Sequence, residues 1–268
     1  MAARGEAGDR GPRVRSDCWI AVEIGDEGGL QIELQGKVAG LYGRSIRELI
    51  VQGCAELGVA HARIQVEDQG ALLFVLAARL ETAVRRARPD LAAEFLPPGS
   101  SRREPGSSRD RLRRTRLYLP GTQPKLMINA GLHRPDGVIL DLEDAVAPAE
   151  KDAARVLVRN ALRAVDFHGA ERMVRINQGP MGLEDMPWVV GHDLHLILLP
   201  KVEHPEQVTA VAGRIAELVP DREIFLMPII ESALGAWRAY EIAAAHPSVV
   251  ALSIGLEDYT ADLGTQRT

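Results

Sequence analysis

The sequence predicts an α/β chain in which an incomplete (β/α)8 TIM barrel, with about six β/α units, follows a small α+β domain. Three observations predict it. The two ends of the chain carry different apolar patterns, six short Val, Ile and Leu runs alternate with helix-like stretches in the second part, and a stretch rich in Pro, Gly, Ser and Arg lies between them. The expected division is residues 1–88, a linker at 89–112, and residues 113–268. With 268 residues, 46% of them apolar and 26% charged, the chain can bury a core and stay soluble.

In the first part, Cys18, Ile20, Val22 and Ile24 alternate with Trp19, Ala21 and Glu23, the period of a strand. Leu30, Ile32 and Leu34 repeat the pattern after Gly28 and Gly29, which predicts a hairpin. From Arg44 the period becomes helical through Ile46, Leu49, Ile50, Cys54 and Leu57, and Gly58 stands where a helix stops. Ala62 to Val66 returns to strand, and Leu80, Val84 and Ala87 suggest a closing helix. Between Arg88 and Arg114 no apolar period survives, so its basic residues read as a flexible, solvated tether.

In the second part the runs are LYLPG (117–121), GVILDLED (137–144), MVRIN (173–177), LHLILLPKVE (194–203), EIFLMPIIES (223–232) and VVALSIGLED (249–258). Near-continuous apolar runs suit strands covered on both faces, and their alternation with helices suits parallel pairing. A barrel collects its functional residues at the strand ends, and here each run ends in polar or acidic residues. No glycine fingerprint follows the first run, which disfavours the rival doubly wound sheet.

Arg175, Glu231 and Asp258 end three of these runs and would converge on one rim. Two carboxylates without nearby Cys or His suit a hard cation such as Mg2+; alternatively both are helix caps or first-turn charges. Asp141, Glu143 and Asp144 form a third acidic strand end. They either orient Arg175 and hold metal-bound water, or solvate a loop and cap the next helix. Lys201 is either a Schiff-base lysine or a rim charge paired near Glu203. The seven histidines show no ligand spacing, and His192 and His195 read as surface or packing residues.

Other classes are disfavoured. Cys18 and Cys54 are too few for a disulfide framework or thiolate metal site and read as core fillers. A net charge of -5 and only four Phe and four Tyr give no footprint for nucleic acid. No stretch approaches the roughly 18 apolar residues of a membrane span, and the first ten residues lack the core of a signal peptide, so a cytoplasmic protein is expected.

Taken in order, LYLPG, LDLEDAV, VRIN, LPKVE, the IIES of residues 229–232 and GLEDYTADLG resemble the β subunit of citrate lyase, within the HpcH/HpaI aldolase superfamily, over about residues 113–268. VEDQGALLFVLAARLETAVRRA (66–87), with SDCWIAVEI (16–24), resembles the γ subunit of that enzyme, its acyl carrier protein. The resemblance implies Mg2+-dependent cleavage of a citryl thioester, on CoA or on an acyl carrier protein, to oxaloacetate and an acetyl thioester. It implies that Arg175 and Glu231 bind substrate and act in catalysis, and that Glu231 and Asp258 hold the metal. A transferase subunit like the citrate lyase α subunit, and a second copy of the chain, are the implied protein partners. Malyl-CoA lyase and 2-oxo acid aldolase activities belong to the same superfamily, and a noncatalytic carrier or scaffold is the alternative class. The carrier family attaches a phosphoribosyl-dephospho-CoA group to a serine whose position is taken here by Arg15, which leaves the neighbouring Ser16 as the hydroxyl for attachment. The chain stops at GTQRT after the sixth run, so the barrel is expected to be C-terminally truncated and, as it stands, not a competent enzyme by itself.

Overall fold

The structure, a computed structural model, describes residues 3–99 and 106–266. Two compact units are present. One holds the described residues within Met1–Ser101 together with Thr122–Ile128 and Pro148–Val165; the other holds those within Arg102–Gly121, Asn129–Ala147 and Asp166–Thr268.

The first unit contains strands β1 (Ala3–Ala7), β2 (Cys18–Ile24), β3 (Leu30–Gly36) and β4 (Ala62–Asp68). Its helices are α1 (Ala39–Glu56), α2 (Leu73–Ala87), α3 (Pro124–Met127) and α4 (Lys151–Ala164). The sheet order is β1-β2-β4-β3. β2 and β4 are antiparallel, whereas β3 and β4 are parallel and joined through α1. The expected hairpin between β2 and β3 is therefore not formed. Period-two alternation assigns a strand its buried face and leaves its neighbour open, and here β4 takes the place between them. β1, which carries only small and charged residues, was not legible as a strand; it pairs with β2 from Ala3↔Ile24 to Ala7↔Ile20.

Ile20, Val22, Ile64 and Val66 of this sheet form one core with Ile46, Ile50 and Cys54 of α1 and Leu76, Leu80 and Val84 of α2. Both cysteines are buried and free, and burial pushes the Cys54 thiol up to about 11. Leu91 and Phe95 join the same core, so this part of the stretch read as a tether is packed. Residues 100–105 of that stretch lie outside the described residues. Glu81 of α2 is fully buried and accepts from Arg159 of α4 at 3.0 and 2.6 Å, from Arg85 at 2.9 Å and from the Phe95 N–H at 2.8 Å.

The second unit is built on β5 (Arg116–Pro120), β6 (Gly137–Asp141), β7 (Glu171–Arg175), β8 (Leu196–Leu199), β9 (Phe225–Ile230) and β10 (Ser253–Ile254). Its helices are α5 (Gly179–Val189), α6 (Pro205–Leu218), α7 (Ala233–Trp237), α8 (Ala239–Ala244) and α9 (Leu256–Asp262). The six strands pair in sequence order, all parallel. Ile139, Met173, Leu196, Leu198, Phe225, Met227 and Ile229 cluster on one face of it. Two residues on from Ile139 and Met173, the same face ends in Asp141 and Arg175, so the apolar layer gives way to charge at the strand ends.

The arginines before β5 strap the opposite ends of the strands. Arg111 donates to the Asp136 and Gly169 carbonyls at 3.2 and 2.6 Å. Arg109 reaches the Pro247 and Val249 carbonyls. Arg113 bridges the fully buried Glu171 at 2.7 and 2.8 Å. A solvated tether was expected for these charges; carbonyl groups just before the strands, and the Glu171 carboxylate, compete successfully with water for them. Among the described residues no helix is long and apolar enough to cross a membrane.

Candidate active site

In a parallel sheet all C-terminal strand ends share one edge, and the candidate residues of the second unit gather there. Asp141 and Arg175 are register partners at the ends of β6 and β7. Arg175 donates through Nε to Asp141 Oδ1 at 2.7 Å and through Nη2 to Oδ2 at 2.6 Å. Its Nη1 lies 2.9 Å from Glu143 Oε2 and 3.8 Å from Asp144 Oδ2. The backbone N–H groups of Glu143 and Ala145 also donate to Asp141, at 3.0 and 3.2 Å. Burial opposes the charge on Arg175, but Asp141 and Glu143 overcome that and raise it above the ordinary arginine value. Asp141 thus takes the guanidinium edge that a substrate carboxylate would need for a bidentate clamp.

Tyr118, two residues before the end of β5, places its ring 5.3 Å from the Arg175 guanidinium carbon. Burial raises its hydroxyl above the ordinary tyrosine value. Tyr118 was not singled out by sequence reasoning, although its position within LYLPG, two residues before a strand end, carried the signal.

Lys201 follows β8 in a left-handed conformation, φ 50°, which returns its backbone toward the sheet edge. Its N–H donates to Glu231 Oε2 at 2.8 Å. Its Nζ lies 3.3 Å from Glu143 Oε1, 3.6 Å from Asp144 Oδ2 and 3.5 Å from Asp258 Oδ2. Burial would lower this ammonium, yet Glu143 and Asp144 hold it above the ordinary lysine value. A cation so held is a poor nucleophile, which argues against the Schiff-base alternative. Glu203 accepts instead from Ser232 Oγ at 2.7 Å. Gln178 Nε2 adds a 2.8 Å bond to Glu143 Oε1.

Glu231 directly follows β9. The next residue, Ser232, is the N-cap of α7 and accepts from the Gly235 N–H at 3.1 Å, so the capping role falls to Ser232. Gly255 approaches so closely that a Cβ there would lie 2.2 Å from Glu231 Oε1. Burial, and then the charges of Asp258 and Glu143, push the Glu231 carboxyl above the usual carboxylate range. Asp258 lies in the first turn of α9. No three acidic, His or Cys side chains among the described residues are arranged by themselves to hold a metal ion. The donor chemistry nevertheless fits Mg2+, which takes one or two carboxylates and fills its remaining positions with water and substrate oxygens. Glu231 and Asp258 are two such carboxylates beside one resident cation.

In the first unit Ser16 occupies a left-handed turn, φ 56°, with its N–H on the Gln69 carbonyl at 3.2 Å. Arg15 turns away to the Pro12 and Val14 carbonyls at 2.9 and 2.8 Å, and Asp17 is buried against Arg79.

A six-stranded parallel sheet with an arginine and carboxylates along its C-terminal edge is an α/β arrangement whose polar residues gather at the strand ends. Residues 114–268 match the HpcH/HpaI aldolase/citrate lyase family, and the chain belongs to it. Residues 11–87 match the ACP family described as the malonate decarboxylase delta subunit (MdcD), so the N-terminal part is carrier-like. The citrate lyase subunit beta of Leuconostoc mesenteroides subsp. cremoris is 39% identical over 169 residues, covering 59% of this chain and 55% of that protein. A (3S)-malyl-CoA thioesterase of Cereibacter sphaeroides is 38% identical over 152 residues, covering 56% and 51%. The chain spans about half the length of these curated relatives. Among solved structures, the citrate lyase beta subunit of Mycobacterium tuberculosis complexed with oxaloacetate and magnesium is 34% identical, with a TM-score of 0.47 over 58% of this chain and 65% of that one.

Proposed function

We propose that the chain carries the catalytic strand ends of a Mg2+-dependent carbon-carbon lyase acting on a citryl thioester, presented on CoA or on an acyl carrier protein. The observation that carries this reading is the joining of Arg175, Asp141, Glu143, Lys201, Glu231 and Asp258 along one sheet edge, in a chain of the HpcH/HpaI family. In the same proposal residues 113–268 belong to an incomplete (β/α)8 barrel, and residues 1–88 are a carrier module joined through 89–112.

Cleavage of a β-hydroxy thioester breaks the bond between the hydroxyl-bearing carbon and the thioester methylene. The hydroxyl gives its proton to a base as its C=O forms, the C–C bonding pair moves into the thioester enolate, and the enolate carbon takes up a proton to give the acetyl thioester, so no proton is gained or lost overall. Mg2+, when bound, supplies a Lewis acid for the hydroxyl and carboxylate oxygens that become the 2-oxo acid. Glu231 and Asp258 are the residues that would hold it. Arg175 is fixed by Asp141 through Nε and Nη2, so a substrate oxygen would meet it at Nη1, which it would share with Glu143, as one fixed positive charge. Asp141, Glu143 and Asp144 keep that guanidinium in place as substrate arrives. Tyr118 covers it from the β5 side.

The similarity to a (3S)-malyl-CoA thioesterase supports a second substrate of the same class, malyl-CoA. Incubation with Mg2+ and either citryl-CoA or malyl-CoA distinguishes the reactions. Lyase action releases oxaloacetate or glyoxylate with acetyl-CoA; hydrolysis releases free CoA. Because the chain spans about half the length of its curated relatives, the assay uses protein extended to their length; there, free CoA alone, or no turnover with either thioester, overturns the lyase reading, and no turnover favours a carrier or scaffold role.

A further inference from the structure

We infer that Lys201 is a built-in competitor for the metal: its ammonium occupies the charge position of the divalent ion between the acids of the strand ends, and binding of the ion requires it to give up Asp258. The inference rests on the reading of Glu231 and Asp258 as the Mg2+ carboxylates. Lys201 touches both of them, Glu231 through its backbone N–H at 2.8 Å and Asp258 through Nζ at 3.5 Å. The same Nζ reaches Glu143 at 3.3 Å and Asp144 at 3.6 Å. One residue therefore meets carboxylates from three chain segments: Glu143 and Asp144 lie 58 and 57 residues earlier, Glu231 and Asp258 lie 30 and 57 residues later.

The left-handed backbone at Lys201 makes this double contact possible. A φ of 50° turns the N–H toward Glu231 while the side chain reaches along the rim toward Glu143. Lysine rather than glycine stands at a position whose conformation favours glycine, so the ammonium is present despite a backbone cost. A dication on Asp258 and Glu231 would meet this ammonium within a few ångströms, and like charges at that range repel strongly where water is partly excluded. Glu143 and Asp144 offer the displaced ammonium a second pair of partners that are not among the proposed ligands. Lys201 is thus a positioning residue. It holds the carboxylates together before the ion binds, and weakens binding of the ion so that it enters as an exchangeable partner.

Mn2+ binding to the full chain, followed by electron paramagnetic resonance at fixed ionic strength, tests this in wild type, K201M, K201G and K201R. Methionine removes the charge at similar length and offers no oxygen. Glycine removes it while relieving the left-handed backbone, so a folded neutral variant is available even if the methionine variant misfolds. Both neutral variants should bind Mn2+ about tenfold more tightly than wild type, and K201R should bind like wild type. Equal or weaker binding in the neutral variants, with wild type binding measurably, overturns the role of Lys201 and leaves the metal reading standing. Absence of Mn2+ binding in all four proteins overturns the metal reading and this inference with it.

Discussion

Arg175 and Asp141 close a two-bond bridge between adjacent, register-matched strand ends, with Nε to Oδ1 at 2.7 Å and Nη2 to Oδ2 at 2.6 Å. Lysine cannot make this bridge, because its single nitrogen lacks the planar fork. Arg175→Lys should lower kcat/KM for the thioester by about 100-fold, and by more than it lowers stability, which should fall by about 1 kcal/mol because Asp141 keeps its two backbone donors. Turnover assays beside urea unfolding check both. Unchanged turnover with a large stability loss would make Arg175 a structural ion-pair partner.

The Arg113 bridge to Glu171 predicts the reverse pattern. Glu171 is fully buried, and Arg113→Ala leaves its charge without its main partner. Stability should fall by about 3 to 5 kcal/mol, whereas replacing both residues by methionine should restore much of it. Urea unfolding of the single and double variants measures this. A loss below about 1 kcal/mol in the single variant would show that water replaces the guanidinium.

His195 gives the second unit a defined acid sensitivity. Burial first, then the charges of Arg172, Arg111 and Arg222, lower it from 6.5 to about 4. The unfolded chain therefore takes up a proton that the folded chain refuses. Its contribution is complete above pH 6.5 and is lost as pH falls toward 4, for at most about 3 kcal/mol. His195→Gln should flatten the stability profile in that window. A profile of unchanged slope in the variant would assign the acid loss to other groups.

Ser16 carries the prediction for the carrier module. If it bears the phosphoribosyl-dephospho-CoA group, intact mass of protein from its native host exceeds the sequence mass, and Ser16→Ala removes the increment. An unmodified wild-type mass would leave the module a docking domain. Modification that survives the substitution would place the group elsewhere.

The second unit was the more legible part. Six apolar runs became six strands in sequence order, since parallel β/α alternation leaves few topologies open. The first unit shows what a pattern omits: alternation at Cys18–Ile24 and Leu30–Leu34 fixed the faces correctly, but which strand lies between them depends on the α1 crossover. The hub at Lys201 escaped notice because its partners Glu143 and Asp258 lie 58 and 57 residues away in either direction. Sequence spacing placed Lys201 beside Glu203, whereas the left-handed turn sends it elsewhere. Likewise, the arginines at 109, 111 and 113 carry no period, and the carbonyl and carboxylate groups that hold them are remote in the chain.

Glu81 and Arg159, 78 residues apart, have a consequence for synthesis. The four strands of the first sheet and α2 leave the ribosome well before α4 does, so for that interval Glu81 has only Arg85 and the Phe95 N–H to answer its charge. A released chain ending at residue 112 should therefore hold the carrier-like sheet in a loosened state, open to protease, whereas a chain that includes Arg159 should resist it. The boundary that separates the two family matches in the gene is thus no boundary for folding: the N-terminal module is finished by a helix encoded within the aldolase segment.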